Sequence, residues 1–221
     1  MRKFYLFVGA PLIVALVVLV LVACQTDQPG EATGLGELLE AGGAHLEAGE
    51  YAEAVADLEA AVEIDPDSSE ARFLLGQAYN RTGELLQAAD EFRAVLDLDP
   101  DNAAAHHNLG VTYFQLQDPS AAIAEFEAAL ELDPDDPDTH YQLGATYLVL
   151  ALPGGGAMTS PDPQLLEQAI AEFEVALDLE EDMPEALIGL GNVYIQQAEY
   201  AAAIGVLQRA VEQMPTSPEA Y

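Results

Sequence analysis

Gly42, Gly76, Gly110 and Gly144 stand 34 residues apart, and Gly191 follows 47 residues later. Glycine returning at a fixed step means that one close backbone approach is made repeatedly. Around four of these glycines the local sequence is Leu-Gly-x-x-Tyr: Leu75-Gly76 with Tyr79, Leu109-Gly110 with Tyr113, Leu143-Gly144 with Tyr147, and Leu190-Gly191 with Tyr194. Pro66, Pro100 and Pro134 keep the same step, and Pro215 closes the last unit. A chain built this way folds by stacking copies of one unit.

Within a unit the residues read as two helices. Gly76 and Ala88 are small enough to let two helices approach closely. Tyr79 and Phe92 supply the large packing pieces, and Asp99-Pro100-Asp101-Asn102 stops one helix and caps the next. The third unit repeats the set with Ala122, Phe126 and Pro134. The fourth has Ala169 and Phe173, with Glu181 where proline belongs, and the fifth has Ala203, Leu207 and Pro215. The first departs most: Ala41 replaces leucine, His45 tyrosine and Leu58 phenylalanine. One helix pair cannot bury its own apolar face, so the pairs stack.

Leu-Gly-x-x-Tyr, then Ala-x-x-x-Phe, then Pro at this period resembles the tetratricopeptide repeat family over about residues 35–217. The resemblance implies an all-α fold, a right-handed α-solenoid of five helix-turn-helix repeats. The units are 35–68, 69–102, 103–136, 137–183 with a 13-residue insertion, and 184–217. The insertion includes 151–164, whose glycines and prolines read as a protruding loop. Residues 218–221 read as the start of an incomplete further helix. Gly34, Gly36, Gly42 and Gly43 predict fraying in the first unit. No unit has the family's tryptophan; His106 and His140 stand in equivalent places and are expected to fill that bulky position rather than hold zinc, which wants more ligands.

The amino-terminal segment belongs to another environment. Phe4 to Ala23 carry no charge and follow Arg2 and Lys3. The run is long enough to cross a bilayer, so residues 1–23 are a signal peptide or a membrane anchor. Leu21-Val22-Ala23-Cys24 resembles the lipobox of bacterial lipoprotein signal peptides, which implies lipidation of Cys24 after cleavage before it. The rival is an uncleaved transmembrane helix with an incidental cysteine. A disulfide is excluded because Cys24 is the sole cysteine. Both readings put the rest of the chain on the extracytoplasmic face of the membrane, in the cell envelope, because Arg2 and Lys3 favour the cytoplasm. Residues 24–34, polar and rich in helix breakers, read as a flexible tether.

The chain has 39 acidic and 6 basic residues, a formal net charge of -33. Nucleic acid is excluded as a partner, since its affinity rests on lysine and arginine neutralising phosphates. Anionic lipid head groups are repelled in the same way, and basic partners are favoured. There is no phosphate-binding glycine loop, no Gly-x-Ser-x-Gly and no His-Glu-x-x-His. The acidic turns at 97–102 and 131–138 lack the ligand spacing of a calcium loop. No catalysis, cofactor or metal is expected.

The resemblance also implies a concave groove lined by the first helix of each unit. Register places Phe73, Gln77 and Asn80 there from the second unit, and His107, Val111 and Phe114 from the third. Tyr141, Ala145 and Leu148 follow from the fourth, then Ile188, Asn192 and Ile195. Such a ladder suits an extended peptide or a helix, basic or apolar in character. One family variant clamps a C-terminal carboxylate with lysine, arginine and asparagine. Asn108 matches one of its positions, but Leu39, His107 and Asp138 stand where other clamp residues would be. The expected function is a membrane-tethered scaffold for protein–protein interaction. The alternative is a stabilising subunit of an envelope enzyme, secretion or transport complex that docks through the uncapped last helix. There Ile204 and Leu207 leave an apolar edge, which also suits self-association.

Overall fold

The computed structural model describes residues 34–152 and 160–213. The anchor segment, Cys24, most of the tether and the incomplete helix at 218–221 lie outside the described residues. Ten helices follow one another: α1 Leu35–Ala48, α2 Tyr51–Ile64, α3 Ser69–Thr82, α4 Leu85–Leu98, α5 Ala103–Gln115, α6 Pro119–Leu132, α7 Pro137–Ala151, α8 Pro163–Leu179, α9 Pro184–Gln196 and α10 Tyr200–Gln213. Each packs on the next, and each odd-numbered helix also packs on the odd-numbered helix after it. The result is an α-solenoid of five helix pairs. No helix among the described residues is long and apolar enough to cross a membrane.

The helix starts follow from capping chemistry. Ser68, Asn102, Asp118, Asp136 and Asp162 each accept a backbone N–H of the first turn with a side-chain oxygen. Pro119, Pro137, Pro163 and Pro184 follow a cap residue, where a missing N–H costs nothing. In four of the five pairs, all but the one that carries the insertion, the first helix ends in a left-handed residue that turns the chain back. Gly49 and Gly83 hold φ of 77° and 85°, while Gln117 and Ala198 hold 61° and 60° in the equivalent turns.

The recurring glycine is explained by what faces it. A Cβ on Gly76 would lie 2.8 Å from the Phe92 ring, one on Gly110 2.7 Å from Phe126, and one on Gly144 3.0 Å from Phe173. Leu58 and Leu207 close on Gly42 and Gly191 in the outer units. Phe92, Phe126 and Phe173 are fully buried and centre the core. Despite its glycines, α1 is regular from Leu35 to Ala48.

Two polar devices repeat along the stack. In the second, third and fourth units a polar side chain on the first helix stands between a glutamate of the second helix and a backbone carbonyl. Arg72 Nη1 donates to Glu91 (2.7 Å) and its Nε to the Pro66 carbonyl (2.6 Å). His106 bridges Glu125 (2.7 Å) and the Pro100 carbonyl (3.3 Å), and His140 bridges Glu172 (2.7 Å) and the Pro134 carbonyl (3.1 Å). Both histidines stand between the two helices of their units, and there they also form a polar bridge, because glutamate and carbonyl oxygens face them. The second device joins neighbouring units. Tyr79 donates to Glu59 (2.6 Å), Tyr147 donates to Glu127 (3.1 Å), and Arg93 Nη2 donates to the Tyr113 oxygen (2.6 Å). Burial and the Glu127 carboxylate push the Tyr147 phenol up to about 12.

The insertion changes less than its sequence predicts. Ala151 is still helical and α8 begins at Pro163, so the reading of 151–164 as wholly loop is corrected at both ends. Ala151 and Leu166 are buried, which extends both helices. The Asp162 N–H donates to the Ala151 carbonyl at 2.9 Å and ties the base of the insertion together.

Candidate peptide-binding groove

The odd-numbered helices leave a continuous hollow on their shared face. Its first part, about 600 Å³, is lined by Leu46, Glu47 and Tyr51 from the first unit and Gln77, Asn80 and Arg81 from α3. His107, Asn108, Val111 and Gln115 from α5 and Gln142 from α7 complete it. A second part, about 390 Å³, shares His107 and Gln142 and adds Asp138, Tyr141, Glu180, Met183 and Glu185. A third, about 240 Å³, lies between α5 and the start of α7, again beside His107.

His107 is held firmly. Thr139 Oγ donates to Asp136, the cap of α7, so Thr139 has only a lone pair left for the imidazole. His107 Nδ1 therefore donates to Thr139 Oγ, and in the neutral ring Nε2 is then the acceptor nitrogen. The ring stands edge-on to Phe126 at 5.9 Å. Burial holds its pKa below the ordinary histidine value, against the opposing pull of Asp136 and Asp138.

The remaining polar groups divide into spent and open ones. Asn80 Nδ2 donates to Thr112 Oγ at 2.9 Å, whose own proton goes to the Asn108 carbonyl at 2.7 Å, so Asn80 serves mainly to join α3 to α5. Asn108 donates to the Ala104 carbonyl at 2.8 Å and keeps its oxygen open. The side chains of Gln77, Gln115 and Gln142 have no hydrogen-bond partner among the described residues. The same holds for the side chains of Glu47, Asp138, Glu180, Glu185 and Arg81. Arg72, Arg93 and Arg209 are all engaged, with Glu91, with Asp90 and Tyr113, and with the Glu181 carbonyl. No group of three or more histidine, cysteine or carboxylate side chains suited to a metal ion occurs among the described residues.

Of the residues expected in the groove, Gln77, Asn80, His107 and Val111 line its first part, with His107 and Tyr141 in the second. Phe73 lines neither part and stands edge-on to Phe92 at 5.8 Å against the core, and Tyr141 lies 6.1 Å from the Phe173 ring, so it serves the core as well. Phe114, Ala145 and Leu148 are half-buried against the core. Ile188, Asn192 and Ile195, on α9, line neither part; Ile188 is half-buried, and the other two are exposed. The register reading passed over Arg81, Gln115 and Gln142, and noted Asn108 only for the clamp comparison. Their signal is the 34-residue step itself, which relates Arg81 to Gln115 and Asn108 to Gln142.

Sequence models of the tetratricopeptide repeat match residues 39–103, 81–137, 125–159 and 164–221. No curated protein matches the chain. Among solved structures, a MamA protein is 21% identical with a TM-score of 0.67, over 81% of this chain and 91% of that one. YrrB, described as a TPR protein with an unusual peptide-binding site, is 18% identical with a TM-score of 0.62, over 90% and 92% of the two chains. These likenesses bear on the fold.

Proposed function

Because the chain belongs to the tetratricopeptide repeat family, we propose that it is a non-catalytic scaffold that holds a protein segment in the groove of its odd-numbered helices. The observation that carries this reading is the row of open amides, Gln77, Gln115 and Gln142, in a hollow spanning four units. Polar side chains with unused donors and acceptors, set side by side on rigid helices, suit a partner's backbone. In this reading Cys24 carries a lipid, or residues 1–23 remain as a helix, and the solenoid stands outside the cytoplasmic membrane. Support comes from the lipobox-like Leu21-Val22-Ala23-Cys24 and the preceding Arg2 and Lys3. Incorporation of labelled fatty acid that is lost in Cys24→Ser, together with retention of residues 1–23 in that variant by mass, distinguishes the lipid from the helix.

The groove reading is tested in cells with a photo-crosslinking residue placed at Gln142 or, as a control, at exposed Glu131 on α6. A protein adduct at Gln142 and none at Glu131 is expected. Substitutions of Phe73 or Tyr141 are poor tests, since both rings pack on core phenylalanines.

A second reading rests on α10. Ile204 and Val211 are 57% and 65% exposed, and with Leu207 they border a hollow of about 570 Å³. A terminal helix with an uncovered apolar face suits docking into a larger envelope complex or onto a second copy. Adduct formation from position 204 with none from 142 favours it over the groove.

A further inference from the structure

Resting on the second reading, we propose that the open face of α10 receives one amphipathic helix of a partner protein. That helix has the chemistry of the odd-numbered helices here: a leucine, then a small or β-branched residue and a tyrosine three and four positions on. Its tyrosine hydroxyl bonds to Gln208.

Three observations carry this. The first is exposure at places that are covered in the unit before. Ile204 and Val211 stand one repeat step beyond Ile170 and Leu177, which lie half-buried against the core where α9 packs on α8. Leu207 takes the place of the fully buried Phe173 and is itself only half-buried. The face of α10 therefore continues the joint that α2, α4, α6 and α8 each make with the odd-numbered helix that follows.

The second is Gln208. Its places in the first three units are Glu59, Arg93 and Glu127, and these bond to the tyrosine hydroxyls of the following odd-numbered helices, Tyr79, Tyr113 and Tyr147. At the fourth place Glu174 acts on the Tyr194 phenol through its charge, without a hydrogen bond. Gln208 is exposed, has no hydrogen-bond partner among the described residues, and borders the hollow with Ile204, Leu207 and Val211. A carboxamide both accepts and donates, so it serves a hydroxyl in either role that glutamate and arginine take in those joints. A wholly apolar occupant would leave it unanswered.

The third is the poor fit of the chain to itself. In a head-to-tail stack the arriving helix is α1 of a second copy. Ala71, Leu75, Ala78 and Tyr79 of α3 correspond there to Glu37, Ala41, Ala44 and His45. Ala71 is fully buried, so Glu37 would carry its carboxylate into an apolar joint. Ala41 is too short to replace leucine, and His45 is already bonded to Asp57 at 2.8 Å. Two copies meeting through α10 bring together chains of formal net charge -33 each. Residues 218–221 reach only the first of these places, with Ala220 where α3 has Ala71, and the leucine and tyrosine places stay open. A partner helix with lysines beside its apolar stripe meets none of these obstacles, and Glu212 on the rim of the hollow gives a lysine its acceptor.

The test uses the full chain in detergent micelles and fluorescence anisotropy with three labelled helical peptides rich in alanine and lysine. The first carries leucine, threonine and tyrosine at the spacing of Leu109, Thr112 and Tyr113. The second has phenylalanine for that tyrosine, and the third has the composition of the first with those residues spread around the helix. The first is expected to bind about fivefold more tightly than the second, and the third not to bind. Gln208→Ala should bring the first peptide to the level of the second and leave the second unchanged. Ile204→Asp, at an exposed site, should abolish binding of both, and Gln142→Ala in the groove should alter nothing. Equal binding of the first and second peptides, binding of the third, or no binding by any overturns the proposal. If position 204 nevertheless yields an adduct with another protein in cells, the second reading survives without this helix pattern. An adduct of two copies of this chain from position 204 overturns the proposal in favour of self-association. No adduct of any kind from that position overturns both.

Discussion

A Cβ added to Gly110 would sit 2.7 Å from the Phe126 ring, closer than any real Cβ approaches carbon. The ring is fully buried and has nowhere to retreat. Gly110→Ala is therefore expected to destabilise the solenoid by about 1–3 kcal/mol through overpacking. Gly43 gives the contrast. Nothing lies within 4 Å of its added Cβ, so Gly43→Ala should gain about 0.5–1 kcal/mol from helix propensity. Denaturant unfolding of both variants checks the pair; similar midpoints would refute the packing account.

The turns inside the units offer a second comparison. Gln117 and Ala198 hold the left-handed conformation that Gly49 and Gly83 hold in the corresponding turns. A side chain there costs about 1–2 kcal/mol, partly offset because glycine loosens the unfolded chain. Gln117→Gly and Ala198→Gly should each raise stability by about 0.5–1 kcal/mol, read from thermal or denaturant midpoints. A lowered midpoint in both would show that those side chains contribute something the turn geometry does not reveal.

His107 makes stability depend on pH in a defined direction. Its folded pKa lies below the ordinary value of 6.5 because the ring is buried. As pH falls through that value, the unfolded chain takes up the proton first. The contribution is thus present above about pH 6.5 and is lost on acidification until the folded ring also protonates. His107→Gln, which keeps a donor for Thr139, should lose less stability than wild type between about pH 7 and pH 5. Parallel curves for the two proteins would contradict the burial argument.

The solenoid was legible in the sequence because its strongest constraints are local and repeated. Gly76 against Phe92 is written as a small residue and a large one at a fixed spacing, and copies of it betray the architecture. The groove was legible only in part. Gln77, Asn80, His107 and Val111 follow from register, but Phe73 packs on the core and Tyr141 faces both core and groove, and a single sequence does not say how a ring divides between them. Gln115, Gln142 and Arg81 look like any solvated helix face until the neighbouring helices are set beside them. The inter-helix place of His106 and His140 follows from the repeat, but their polar partners do not, because Glu125 and Glu172 reach them from another helix. Pro163 reads as a breaker in the sequence, but burial of Leu166 extends that helix a turn toward the insertion.

Every helix here touches only its first or second neighbours along the chain. Mechanically this is a molecule without cross-bracing. A pull applied between its ends passes in series through each interface, as through the coils of a spring, and the softest interface yields first. The groove runs along the coil, so its width and the spacing of its polar groups change with extension. A tether at one end and a load at the other would then tune how well a segment fits between them.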